Sequence, residues 1–460
     1  MAVYICAVCG YMYDESAEDI AWAELPDDWL CPVCGNGKAY YYADEAATGS
    51  AVDAAAAPAL RPLAEAAEPQ LTDIDVMAET GESIIEPMRT REPVISWDEV
   101  LVVGAQMSRL PLNEDEPVST RTVIGPAAKH PLEIEAPLTI THMSFGALSR
   151  EAQIALARGS AAVGIAMSSG EGGILPEAME TAHRFIFEYV PNRYSVTEEY
   201  LRKVDAVEIK LGQSAKPGMG GHLPGNKVTE EIARIRGFAP GTDITSPARH
   251  ADIRTPADLR DKVAWLRDAT GGRPVGVKLA AGDLEADLEA ILVSGPDFIT
   301  IDGRAGATGA APKYVKRSAS IPTIFALERA RVILDRHGSD ASLIVTGGLR
   351  VSSDFVKAIA MGADAVAIGT AALLAIGCRQ YRICHTGRCP VGIATQDPEL
   401  RRNLRVDHAA GRLERYLAVS INEIRTFARM MGRHDVHDLR VSDLRTVNTE
   451  ISGYTRIAHA

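Results

Sequence analysis

The seven cysteines of the chain fall into two sets, and each set has the spacing of a metal site. Cys6-x2-Cys9 and Cys31-x2-Cys34 form two short knuckles. Four thiolates so arranged enclose one ion tetrahedrally, and an all-sulfur tetrahedron selects zinc or iron. Gly10 and Gly35 follow the second cysteine of each knuckle, where a left-handed backbone suits glycine. Either a zinc ribbon stapling a module too short to bury a core or a one-electron iron site fits this pattern. The second set, Cys378-x5-Cys384-x4-Cys389 with Pro390 after it, supplies three ligands. Three thiolates suit an iron–sulfur cluster, whereas a zinc tetrahedron needs His385 as a fourth ligand.

Charged residues at the ends of apolar runs are the other candidates for chemistry. Lys278 closes VGVKLA and Lys210 closes VEIKLG. A buried ammonium needs a partner, and an anionic reduced flavin beside Lys278 would be one. These lysines belong to a recurring pattern of short apolar strand, turn and amphipathic helix. The expected strands are residues 138–145, 164–168, 184–190, 206–211, 275–279, 298–301, 343–345 and 365–368. Helices are expected over 149–162, 256–269, 284–294, 353–361 and 412–431, with Gly432 as a C-cap. Eight such strands, apolar on both faces, predict parallel pairing and a (β/α)8 TIM barrel, with a doubly wound open sheet as the alternative. A barrel builds its site where strands end. Those ends carry Met143, Ser144 and Gly146, then Ser169 to Gly173, Lys210, Lys278, Asp302-Gly303, Gly347-Gly348 and Gly369-Thr370. Glycine-rich turns after the last two strands suit a phosphate.

The strings around the cysteines carry two resemblances. Cys9 to Asp14 (CGYMYD) and Leu25 to Gly35 (LPDDWLCPVCG) resemble rubredoxin, which implies one iron with Tyr11, Tyr13 and Trp29 packed beside it. The run from Cys378 to Gln396, ending CPVGIATQ, is similar to the 3Fe-4S segment of glutamate synthase. Four further segments agree: SGEGG (169–173), EIKLGQSAKPGMGGHLPG (208–225), DGRAGATGAAP (302–312) and MSFGALS (143–149). The second resemblance covers residues 80–440. It implies an FMN-binding barrel that reduces 2-iminoglutarate, formed from 2-oxoglutarate and ammonia, to L-glutamate. Gly347, Gly348, Gly369 and Thr370 would hold the FMN phosphate, while Met143, Ser144, Gly146, Gly303 and Lys278 would contact the flavin. Glu171, Lys210, Gln213 and Lys216 would face the substrate, with Glu171, Lys210 and Lys278 in catalysis. Electrons would pass from an external reductase to the iron of Cys6, Cys9, Cys31 and Cys34, then to a 3Fe-4S cluster on Cys378, Cys384 and Cys389. Ser214 stands where the family usually has Gly. The chain opens on the metal module where large bacterial relatives carry a glutaminase domain. It is therefore expected to take free ammonia, or ammonia from a separate amidotransferase subunit.

Organisation follows: an iron module over 1–44, an Ala/Pro-rich linker over 45–70, the barrel over 71–440 with its iron–sulfur segment at 378–396, and a tail over 441–460. With 46% hydrophobic and 24% charged residues the chain reads as an ordinary globular protein. A net charge of −13 speaks against nucleic acid, and no apolar run reaches membrane-spanning length. The start MAVYICAVCG has no basic n-region, so a cytoplasmic location is expected. Residues 1–44 hold eight acidic side chains against Lys38 alone, either a solvated face or a docking surface for a basic patch. Two other readings remain: an N-methylglutamate synthase-type subunit, with methylamine in place of ammonia, and an electron-transfer or scaffold subunit of a homo- or hetero-oligomer.

Overall fold

The computed structural model describes residues 2–6, 11–18, 20–32, 35–43 and 68–460. Two compact units divide it, Met1–Glu82 and Ser83–Ala460. The expected linker lies largely outside the described residues, as do Cys9 and Cys34.

In the first unit, strands Met12–Asp14, Val3–Cys6 and Tyr41–Ala43 form a three-stranded antiparallel sheet. The two knuckles start alike. Cys6 N–H donates to Tyr11 O (2.9 Å) and Cys31 N–H to Asn36 O (2.8 Å), and both cysteines are buried. Gly35 takes the left-handed conformation, with φ +70°. A pile of rings replaces an aliphatic core: Trp22 stacks on Tyr4 at 4.5 Å and meets Tyr13 and Trp29 edge-on at 5.4 and 5.5 Å. Such pairs add to plain area burial, which a unit this small needs. Helix Leu71–Thr80 falls in this unit and ends at Gly81 (φ +66°).

In the second unit, eight parallel strands close a barrel. They are β1 (Leu138–Ile140), β2 (Ala166–Ser168), β3 (Arg184–Tyr189), β4 (Ala206–Lys210), β5 (Val275–Ala280), β6 (Phe298–Asp302), β7 (Ser342–Thr346) and β8 (Ala365–Ile368), each paired with the next and β8 with β1. The expected barrel is present and the open sheet is not. The first strand is shorter than its apolar run suggests. It stops at Ile140, and Met143–Phe145 leave the sheet as a loop.

Period-two alternation sorts each strand into an outer face under the helices and an inner face. The inner face is layered. At the base, Ala166, Ile186, Ala206, Phe298, Ile344 and Ala365 pack on the hairpin of strands Thr122–Ile124 and Leu132–Ile134. Gly276 makes room there, because a Cβ on it would lie 2.2 Å from the Phe298 ring. One step up the same strands stand Glu188, Glu208, Lys278 and Thr300. At the rim stand Lys210, Asp302 and Thr346. An apolar floor, a charged middle and an open rim follow from reading every second residue.

Helix Val406–Met430 packs beside helix Arg150–Ala161, and glycine permits the approach: a Cβ at Gly159 would lie 2.8 Å from Leu413 Cβ. Residues 441–460, expected as a tail, are built into this unit. Strand Leu444–Thr446 pairs antiparallel with Val100–Val102, and Ala458–His459 pairs beside it.

Candidate active site

The rim loops enclose one cavity of about 230 Å³, and the second cysteine set opens into the same space. Of the residues expected from sequence, Met143, Ser144, Glu171, Lys210, Gln213, Lys216, Lys278, Gly347, Gly348, Gly369, Thr370, Cys378, Cys384 and Cys389 all line it. Gly146 and Gly303 stand behind the lining. Gly146 has φ +105°, and a Cβ there would meet Arg236 and Leu223 at 3.0 Å. Gly303 supports Gly347, whose own added Cβ would sit 2.4 Å from Gly303 O.

Two buried ion pairs organise the middle and the rim of the barrel. Lys278 Nζ donates to Glu188 Oε1 at 2.7 Å, both side chains being buried. The partner required for this ammonium is thus a carboxylate one residue before the end of β3, where sequence reasoning looked to a flavin. Burial pushes the Glu188 carboxyl up, but Lys278, Lys210 and His142 together outweigh it and hold it at about 2. Lys210 Nζ pairs with Glu171 Oε2 and donates to Gln213 Oε1 at 2.8 Å. Burial pulls Lys210 down, while Glu171 and Glu188 win and hold it above its ordinary value. The Glu171 carboxylate lies against Gly221, where a Cβ would come within 2.6 Å of it. Beneath them His142 pairs with Glu208, which also accepts from Thr300 Oγ1 at 2.5 Å.

Lys216 and Arg236 make no such ion pair, although the Glu171 charge acts on both. Lys216 Nζ donates to Gly220 O at 2.9 Å and makes no ion pair with any described carboxylate. Burial first, then Lys210, brings its ammonium down to about 8. Arg236 donates to Phe145 O at 2.7 Å, lies over the Tyr194 ring, and keeps a buried Nε without a hydrogen bond. Burial lowers it as well. Arg236 was not foreseen; it arrives on helix Glu230–Arg236 within the long connection between β4 and β5. Ser214, the departure noted in the sequence, fills a defined place. Its N–H and hydroxyl donate to the two carboxylate oxygens of Asp302 at 2.9 and 2.8 Å, opposite Gly306, whose missing Cβ would lie 2.1 Å from the hydroxyl. This ties the Gln213–Lys216 loop to the end of β6.

Gly347 (φ +114°) and Gly348 (φ +99°) form a cradle that side chains would fill, since a Cβ on Gly348 would meet Ala305 Cβ at 2.6 Å. Arg350 donates to Gly348 O beside it and lines the cavity too. Backbone of this kind, flanked by a guanidinium, suits a phosphate group. The cysteine segment is fastened to the loop after β1. Ser149 Oγ donates to Gly392 O (2.6 Å), Ser149 N–H to Ile393 O (2.8 Å), and Gln396 Nε2 to Gly146 O (3.0 Å) and Leu148 O (2.8 Å). Burial, then Cys378 and Cys389, pushes the Cys384 thiol up to about 11; burial also raises Cys378. Thiols in that condition ionise when a cationic group binds them. Among the described residues, the set of ligand atoms converging within 4.8 Å is His142, Glu188 and Glu208, not the three thiols.

The profile of the conserved region in glutamate synthase matches residues 82–434, and the rubredoxin profile matches residues 3–41. An archaeal-type glutamate synthase (NADPH) of Thermotoga neapolitana is 40% identical over 408 residues, which is 83% of this chain and 80% of that protein. A glutamate synthase large subunit-like protein of Rhizobium meliloti is 36% identical, covering 84% of this chain and 92% of its own. The archaeal glutamate synthase (NADPH) of Methanocaldococcus jannaschii is 38% identical over 80% of this chain and 78% of its own. With a rubredoxin module ahead of its barrel, the chain belongs to the glutamate synthase family and is an oxidoreductase of that type.

Proposed function

We propose that the chain forms L-glutamate by reducing 2-iminoglutarate, itself made from 2-oxoglutarate and ammonia, with electrons entering through the iron module. One observation carries this reading: the cavity holds Lys216 and Arg236, buried cations that make no ion pair with a described carboxylate, beside the closed Lys210–Glu171 and Lys278–Glu188 pairs. Buried cations without an ion pair call for anionic ligands, and the substrate has two carboxylates.

FMN fits the rim, with Gly347, Gly348, Gly369, Thr370 and Arg350 to hold its phosphate and Met143, Ser144 and Lys278 to line its ring; bound there, it supplies hydride transfer. The three thiols fit a cluster better than a single ion. Ligands at about 2.3 Å from one zinc stand about 3.8 Å apart, and these thiols do not converge to within 4.8 Å of one another. We assign them a 3Fe-4S cluster, and Cys6, Cys9, Cys31 and Cys34 one rubredoxin-type iron.

The chain's own groups then divide the work. Lys216 and Arg236 neutralise the substrate carboxylates. Lys210 stays protonated because Glu171 and Glu188 hold it so. It therefore acts as a fixed cation that polarises the substrate rather than as a proton shuttle. Gln213, which accepts from Lys210 and donates to Thr308 Oγ1 at 3.3 Å, orients that ammonium. Glu188 keeps Lys278 charged and in place. The NADPH in the relatives' names supports an external reductase as electron source. The lack of disulfides among the described cysteines supports a reducing, cytoplasmic setting, and no described helix is long and apolar enough to cross a membrane. A separate amidotransferase subunit as ammonia source, and association into a larger oligomer, belong to the same reading.

Anaerobic photoreduction followed by 2-oxoglutarate and ammonium tests it. Flavin reoxidation with glutamate detected by mass spectrometry is the expected result. Reoxidation with 2-oxoglutarate and methylammonium, but not with 2-oxoglutarate and ammonium, would reassign the amine and make N-methylglutamate the product. A flavin that stays reduced with either pair would sink the catalytic reading and leave an electron-transfer subunit.

A further inference from the structure

Lys227 is a buried charge that the reaction above leaves unused. It closes the short turn Gly225–Lys227 and is 4% exposed. The turn is held at both sides: Gly225 N–H donates to Asp243 Oδ1 at 2.7 Å, and Gly241 N–H to Val228 O at 2.9 Å. The lysine stem runs under Gly387, where a Cβ would already touch it at 3.4 Å. Its ammonium donates to Cys384 O at 3.3 Å and to Ala147 O at 3.1 Å. One contact is therefore in the cysteine segment and the other in the loop that carries Met143 and Ser144. Unlike Lys210 and Lys278, it has no ion pair with any described carboxylate. Two carbonyls leave a buried ammonium short of counter-charge, and the cavity lining it shares also carries Cys378, Cys384 and Cys389.

We propose that Lys227 is the fixed positive charge that sets the reduction potential of the group held by Cys378, Cys384 and Cys389, and so a positioning residue for electron entry into the barrel. The inference rests on the cluster reading above. Each electron given up by a one-electron iron donor lowers the charge of the thiolate-held group by one. A cation against that group stabilises the reduced form more than the oxidised one and raises the potential. Two such electrons, passed on in turn with protons from solvent, reduce the two-electron acceptor in the barrel. Arg379 and Arg388 are also cationic and near in sequence, but both are exposed, where water and salt screen them. Arg236 is buried too but donates to Phe145 O; among the described buried cations of the cavity, Lys227 is the one that donates to the cysteine segment.

The test uses the full-length holoprotein and the variants Lys227→Met, Lys227→Gln, Lys227→Arg and, as a surface control, Arg388→Met. Iron and acid-labile sulfide are assayed first, and then the cluster's EPR signal is followed in a redox titration. The neutral variants are expected to keep iron, sulfide and flavin and to titrate at a lower potential than wild type. Lys227→Arg should restore the wild-type midpoint, and Arg388→Met should leave it unmoved. An unchanged midpoint in a neutral variant that keeps its cluster overturns the proposal. So does loss of the cluster from both neutral variants, which would make Lys227 a strut for Cys384. Wild-type protein without acid-labile sulfide would instead fail the cluster reading itself, so the two failures are separable.

Discussion

At the scale of single residues, the site is a sorting of buried charges into those with counter-ions and those without. Lys216 belongs to the second kind, and its ammonium is held at about 8. A carboxylate ligand binds the protonated form, and this lowered value means the charge is lost at a lower pH than in an ordinary lysine. Affinity for 2-oxoglutarate should hold below pH 8 and weaken about tenfold per unit above it, as read by ligand-induced changes in the flavin spectrum. A flat profile to pH 10 would remove Lys216 from the binding site. Glu188 belongs to the first kind. Glu188→Gln strands Lys278 in the barrel and should cost about 3–5 kcal/mol, the usual penalty for breaking a buried pair, measured by urea denaturation. A loss under about 1 kcal/mol would mean that water reaches the pair. Sequence reading named Lys210, Lys278 and Glu171 but not Glu188 or Glu208, though Glu188 in FIFEYV and Glu208 in AVEIK break apolar strands just as conspicuously. Arg236 and Lys227 gave no such sign. Both lie in a long irregular connection, and only the fold brings them back to the rim.

At the scale of elements, the loops after the strands do the positioning, and glycine is used where backbone meets backbone. Gly347 and Gly218 both have positive φ, +114° and +70°, but a Cβ on Gly347 meets Gly303 O at 2.4 Å and one on Gly218 meets nothing within 4 Å. Gly347→Ala should therefore abolish flavin retention on desalting, whereas Gly218→Ala should keep it. Equal retention by both would show that this turn is not the phosphate cradle. Strand number and order were legible because each barrel strand is a short apolar run between turns. The end of β1 was not, since Met143 and Phe145 continue the apolar run after the sheet has ended. What bends that segment away is its anchorage on Gln396 and Ser149, contacts that span some 250 residues.

At the scale of the whole molecule, the chain joins a small unit built on thiols and rings to a large one built on a closed sheet. A fragment comprising Ser83–Ala460 keeps every barrel strand and the whole cavity. It should fold, bind flavin and turn over with dithionite, yet lose turnover with the physiological reductase by at least tenfold, in a steady-state assay. Equal activity with both donors would contradict a carrier role for the iron module. The rubredoxin-like opening was readable from the cysteine spacing, whereas the first unit runs to Glu82, past the expected start of the barrel at residue 71. The inclusion of residues 441–460 was not readable, because three-residue strands such as Leu444–Thr446 leave almost no periodic signal.

The ring pile in the small unit has a practical consequence. The four tryptophans divide evenly: Trp22 and Trp29 sit there among Tyr4, Tyr13 and Tyr41, while Trp97 and Trp265 belong to the barrel unit. Emission from the first pair shares its unit with Cys6 and Cys31, where a coloured metal centre quenches nearby indoles and zinc does not. Intrinsic fluorescence thus distinguishes the two metals without any assay of turnover, and metal exchange should brighten one half of the signal while the other stays constant.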